Sequence, residues 1–111
     1  MIRVKIERRT DGAIVAFSVS GHAYYDKPGK DIVCAGVSAV TIGTVNAVEA
    51  LTGVELPNEM RDGLLNVIVP SALDPAQSEK VQLLLESMLV MLRSIEQSYG
   101  KYMSIEVQQH S

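Results

Sequence analysis

Asp31-Ile32-Val33-Cys34-Ala35-Gly36-Val37-Ser38, continued by Ala39-Val40-Thr41-Ile42-Gly43-Thr44-Val45-Asn46-Ala47-Val48-Glu49-Ala50-Leu51 and closed by Thr52-Gly53, is the stretch that decides the fold. From residue 32 to residue 51 its only charged side chain is Glu49. A helix apolar on nearly all sides must be covered on nearly all sides, by a sheet below and by a second helix or a second subunit above. Asp31 suits an N-cap and Thr52-Gly53 a stop. Ala35, Gly36, Ala39, Gly43 and Ala47 let neighbouring backbones come close, which is a sufficient packing reason for most of them.

Upstream, Ile2, Val4 and Ile6 alternate with Arg3, Lys5 and Glu7, the period of a strand with one buried face. Asp11-Gly12 signals a hairpin turn, and Val15, Phe17 and Val19 alternate with Ala16 and Ser18. Downstream, residues 54–60 give no clear reading, Pro57 weighing against a central strand. Leu65, Val67 and Val69 form a strand region closed by Pro70. Asp74-Pro75 is an N-cap followed by proline at the first helical position. Val81, Leu84, Leu85, Met88, Leu89, Leu92, Ile95 and Tyr99 recur at helical spacing, while Leu83, Val90 and Met91 give a second, weaker apolar face. Met103, Ile105 and Val107 predict a last short strand. The expected fold is α+β, a mostly antiparallel sheet with two long helices packed on it, formed by residues 1–111 as a single domain.

Bulk properties narrow the function. The chain has 111 residues, 47% of them hydrophobic and 21% charged, with a net charge of −3. Its Lys and Arg residues are scattered, so no basic stripe is available to neutralise phosphates and nucleic acid is not expected as a direct partner. The single cysteine excludes an internal disulfide and a multi-cysteine zinc site. Only the stretch 32–48 approaches the roughly 18 apolar residues of a membrane span. Its Gly, Ala, Ser and Thr content reads as a buried helix and the protein as cytoplasmic, with no membrane contact.

The chemistry concentrates between residues 20 and 38. Cys34 lies near the start of the long helix, where free amides and the positive dipole end favour a thiolate. The amides of Cys34 and Ala35 are candidates to hold an oxyanion. The competing reading of Cys34 is a small buried hydrophobe. His22 sits between the small neighbours Gly21 and Ala23, and is either a base for that thiol or a histidine satisfied by a backbone carbonyl. Even a partly extended linker between the two spans roughly 30 Å, so folding back into contact is allowed. Asp31 either caps the helix or orients the imidazole. Ser38 is one turn beyond Cys34 on the same face. Tyr24 and Tyr25, half of the four tyrosines, either line a substrate cleft or decorate the surface. Gly29-Lys30 lacks the remaining spacing of a phosphate loop, and His110 lies in a polar tail. Loop 23–30, with Pro28 and Gly29, is expected to be mobile until substrate binds.

Gly21-His22-Ala23, Gly29 and Asp31-Ile32-Val33-Cys34-Ala35-Gly36-Val37-Ser38 resemble the ribosomal-processing cysteine protease family, Prp. The similarity extends over Asn46-Ala47-Val48-Glu49-Ala50-Leu51-Thr52-Gly53 and Val81-Gln82-Leu83-Leu84-Leu85-Glu86-Ser87-Met88. The resemblance implies an endopeptidase that removes the N-terminal extension of a large-subunit ribosomal protein, number twenty-seven, cutting after aromatic residues. It puts the nucleophile on Cys34 and the histidine on His22, with Asp31 and Ser38 as the motif's aspartate and serine. It also implies a homodimer and calls for no cofactor. Two other classes remain open from the residues alone: a non-enzymatic ribosome-associated binding module, and a thiol transferase or redox protein that borrows its resolving thiol from a partner.

Overall fold

The computed structural model describes residues 1–21 and 30–109, with side chains in the second stretch described from residue 32 onward. The elements run β1 (Ile2–Arg8), β2 (Ile14–Ser20), α1 (Lys30–Thr52), β3 (Asn58–Arg61), β4 (Leu64–Ile68), α2 (Pro75–Tyr99) and β5 (Met103–Gln109). The five strands form one sheet in the order β3-β4-β2-β1-β5. Every neighbouring pair is antiparallel except β1 and β5, which pair in parallel from Ile2↔Met103 to Arg8↔Gln109. The α+β architecture expected from the sequence is therefore observed.

The alternation of β1 does the sorting. Ile2, Val4 and Ile6 are buried under the helices while Arg3 and Lys5 face solvent. From β2 and β4, Phe17, Leu65 and Val67 join the same face. The hairpin turn falls on Asp11-Gly12 as expected: Gly12 has a φ of 92°, and the Asp11 carboxylate accepts the Ala13 N–H at 3.0 Å. The start of β2 departs from strict alternation. A bulge shifts the register between Glu7↔Ala16 and Arg8↔Ile14, so Ile14 takes the fully buried place expected for Val15, which is half-buried. Gln82 of α2 secures the displaced residue, its amide accepting from the Ile14 N–H and donating to the Ile14 C=O, both at 2.8 Å. Arg8 also reaches α2, donating twice to Glu86, once at 2.9 Å. That hydrogen bonding holds the Glu86 carboxyl below its ordinary range.

Helix α1 lays Val33, Val37, Thr41, Thr44 and Val48 onto the core. The buried threonines are satisfied within the helix, Thr41 Oγ1 donating to the Val37 carbonyl at 2.8 Å and Thr44 Oγ1 to that of Val40 at 2.6 Å. Gly36 faces Ile95 of α2 with room to spare: a Cβ there would lie 3.6 Å from the Ile95 side chain, an ordinary contact. The opposite side of α1 (Ile32, Ala35, Ala39, Gly43, Asn46 and Ala50) is exposed in the single chain, so the cover expected on nearly all sides is only partly supplied from within it. By length and composition α1 would suffice to cross a membrane, but one of its sides is committed to the sheet. Helix α2 begins as expected, with Asp74 accepting the Gln77 N–H at 2.9 Å and Pro75 in the first turn. Its buried stripe is Val81, Leu85, Met88, Leu89 and Leu92.

Two departures concern the candidate site. First, α1 begins at Lys30, so Asp31 is a helical residue and not the flanking cap. Second, residues 58–61, unassigned from sequence, are the edge strand β3. Pro57 immediately precedes this strand and lies outside its four residues, at the end where proline is tolerated.

Gly21 ends β2 with a φ of 107°, and a Cβ there would lie 2.2 Å from the Met1 carbonyl oxygen. Its N–H donates to the Gly63 carbonyl at 3.1 Å. The turn after β3, the end of β2 and the start of β1 are thereby drawn together. Gly21→Ala should lose roughly 1–3 kcal/mol of stability, since both the positive φ and the backbone collision oppose a side chain. Gln82→Ala, which strips both partners from Ile14, should cost roughly 1–2 kcal/mol. Thermal melts of the two variants check both values, with a fall in Tm of several degrees expected for each.

Candidate active site

One cleft holds two of the residues that the sequence singles out, Cys34 and Ser38. It has a volume of about 270 Å³ and lies between the first half of α1 and the β3–β4 turn, over the end of the sheet where Ile2 and Gly21 meet. Cys34, Ser38 and Thr41 contribute from α1, Ile2, Val19 and Leu65 from the sheet, and Met60, Arg61 and Gly63 from the hairpin. Cys34 is a free, half-buried thiol. Ser38 lines the same cleft one turn further along the helix, as expected.

His22, Tyr24 and Tyr25, with the rest of loop 22–29, lie outside the described residues, as does His110. Gly21 is described, and it lines the cleft with Cys34. The backbone that leads into His22 therefore leaves the sheet at the rim of the cleft. Gly21 itself is held by its N–H hydrogen bond to the Gly63 carbonyl.

The start of α1 changes the expected electrostatics. A helix leaves only its first four N–H groups free. With helical residues from Lys30, the amides of Cys34 and Ala35 fall inside the i→i−4 ladder. The oxyanion role expected of these two amides is thus not open in this conformation, because their donors are already used. Cys34 itself lies just past the first turn and not within it, and Lys30, expected in the loop, opens the helix.

The sequence reading missed the third wall, formed by Met60, Arg61, Asp62, Gly63 and Leu64. Its signal was present in Asp62-Gly63, the same dipeptide type as Asp11-Gly12, and Gly63 has a φ of 75°. Among the described residues, no three His, Cys, Asp or Glu side chains converge as metal ligands would. A half-buried thiol in a cleft that is also lined by the residue preceding a histidine is suited to nucleophilic attack on a carbonyl held in that cleft.

Comparison with known proteins agrees with this chemistry. The family model of the cysteine protease Prp matches residues 1–104. The ribosomal processing cysteine protease Prp of Bacillus subtilis (strain 168) is 43% identical over 101 residues, covering 89% of this chain and 90% of that protein. The protein of the same name from Staphylococcus aureus (strain Mu50 / ATCC 700699) is 38% identical over 101 residues, covering 91% and 93%. Among solved structures, the essential ribosomal processing protease Prp of S. aureus in complex with a substrate peptide superposes with a TM-score of 0.87. Its sequence identity is 32%, with 97% of this chain and 100% of that chain covered. SMU.848 from Streptococcus mutans superposes with a TM-score of 0.85 at 30% identity, covering 99% and 96%. These matches displace the binding-module and redox readings, and the enzyme is a cysteine protease. With its thiol in a cleft of that fold and its sequence matched over almost its whole length, the chain belongs to the Prp family of cysteine proteases.

Proposed function

We propose that this enzyme removes the N-terminal extension of a large-subunit ribosomal protein, number twenty-seven, in the cytoplasm, cutting after an aromatic residue. The observation that carries the reading is the shared cleft: Cys34 lies on one wall, and Gly21, next to His22, lies on another. The names of the B. subtilis and S. aureus relatives support a ribosomal substrate.

In this mechanism His22 accepts the Cys34 proton and the thiolate attacks the scissile carbonyl carbon. The C–N bond breaks as His22 returns the proton to the leaving amine, because an amide nitrogen does not leave as an anion. Water, deprotonated by His22, then hydrolyses the thioester and restores the thiol. Asp31 orients the imidazole, a role freed for it by the earlier start of α1. Ser38, one turn from Cys34, supports substrate or thiol within the cleft. Tyr24 and Tyr25 receive aromatic side chains of the substrate, and the loop that carries them, which ends before Lys30, closes over it.

The working unit is a homodimer. Ile32 is 62% and Leu51 70% exposed on α1, and Leu83 is 70% and Val90 66% exposed on α2. Between the helices lies an apolar groove of about 290 Å³, lined by Ala39, Gly43, Ala47, Leu84 and Met91. A second copy would remove this surface from water, as a monomer of this size does not.

Wild-type enzyme incubated with the extended ribosomal protein should release the extension, read as a mass change. Cys34→Ala should abolish the cleavage and His22→Ala should slow it by about 10²- to 10⁴-fold. Cleavage by Cys34→Ala at the wild-type rate would overturn the mechanism. Sedimentation at micromolar concentration should give a dimer mass. Gly43→Glu should dissociate the dimer without unfolding it, because a side chain at Gly43 meets nothing within 4 Å in the single chain. A wild-type monomer would refute the dimer.

A further inference from the structure

Strand β3 is an edge of the sheet, and all four of its residues are exposed. Antiparallel pairing makes successive residues turn their backbone groups alternately toward the neighbouring strand and away from it. The phase is set by the Ile68 N–H, which donates to the Pro57 carbonyl at 2.9 Å. Pro57, Glu59 and Arg61 therefore face β4, and Asn58 and Met60 turn their N–H and C=O groups outward. Sequence devices that usually block such an edge are weak here. No proline or lysine lies within the strand, and its two charges, Glu59 and Arg61, approach each other at 3.8 Å.

Side-chain alternation gives this edge two different faces. Glu59 pairs with the exposed Asn66, whose side-chain amide donates to the Glu59 carboxylate at 3.4 Å on the open side of the sheet. Met60 pairs with the buried Leu65 and so points to the helix side, where it is 57% exposed. Met60, Arg61 and Leu65 line the cleft that holds Cys34. The free backbone edge and the nucleophile thus belong to one continuous surface, with α1 on one side and β3 on the other.

We propose that β3 binds the peptide substrate by strand addition, with the outward N–H and C=O groups of Asn58 and Met60 pairing an extended substrate segment. Met60 acts as a specificity residue, its thioether seating an apolar or aromatic substrate side chain. The proposal rests on the reading of Cys34 as a protease nucleophile. It assigns the substrate backbone to a strand that the thiol–imidazole motif does not include. An extended segment suits the place because it brings its own unpaired backbone groups, and the cleft at the C-terminal end of β3 then receives the scissile bond.

The test is an N-methyl scan of a synthetic peptide spanning the cleavage site, each peptide lacking one backbone N–H. Binding of each fluorescent peptide to Cys34→Ala is read by anisotropy, and cleavage of the same peptides by wild type is read separately. Strand addition predicts a loss of roughly tenfold or more in affinity at positions two residues apart on one side of the scissile bond, with little change at the position between them. Met60→Ala should raise KM about tenfold and leave kcat nearly unchanged for a peptide with an aromatic side chain at the paired position. Affinity insensitive to N-methylation, or equally sensitive at successive positions, overturns strand addition even if wild type cuts the peptide normally. Failure of wild type to cut the unmodified peptide overturns the protease reading instead, while the binding pattern still decides the role of β3.

Discussion

The apolar row Ile2, Val4 and Ile6 lies under both helices, flanked by β2 on one side and β5 on the other, and most of the molecule takes its position from that row. A sheet with one apolar face needs a single covering layer, and α1 and α2 supply it. Once β1 is in register, Val19 and Leu65 fall at the same end of the sheet as Ile2, forming the floor on which Cys34 and Ser38 stand. The cleft is thus a place where the helical layer stops short of the sheet edge. Its chemistry is borrowed from a packing arrangement whose first purpose is burial.

Local signals explain how far a reading of residues alone could go. Period-two alternation in β1, the Asp11-Gly12 turn, the Asp74-Pro75 cap and the stripe of α2 are each fixed by neighbours in sequence, and each is observed as read. Failures occurred where a distant group decides. Ile14 displaces Val15 from the core because a bulge is stabilised by Gln82, far along the chain. Strand β3 exists because β4 offers it a ladder, and a four-residue stretch with alternating charge shows little of that on its own. The candidate nucleophile was legible as a lone cysteine near a helix start. The walls of its cleft were not, since the hairpin that completes them meets Gly21 only through tertiary contact.

The beginning of α1 shows how a two-residue displacement alters chemistry. A helix flanked by Asp31 would leave the Cys34 amide free, whereas a helix containing Lys30 commits it to the backbone ladder. In the observed arrangement the Cys34 amide is bonded within the helix, and a negative charge developing in the cleft would have to be met by groups outside that part of the helix.

The parallel pairing of β1 with β5 has a consequence for the life of the chain as it is made. Ile2 pairs with Met103, and the Ile2 N–H donates to the Tyr102 carbonyl at 2.9 Å. These partners are separated by nearly the whole sequence, so the ladder closes one of the longest loops available to the chain. Until β5 leaves the ribosome, β1 is itself an open edge, and the floor beneath Cys34 that Ile2 helps to form lacks its outer support. The cleft therefore depends on a strand about a hundred residues away in sequence: it reaches its finished shape only once β5 has paired with β1.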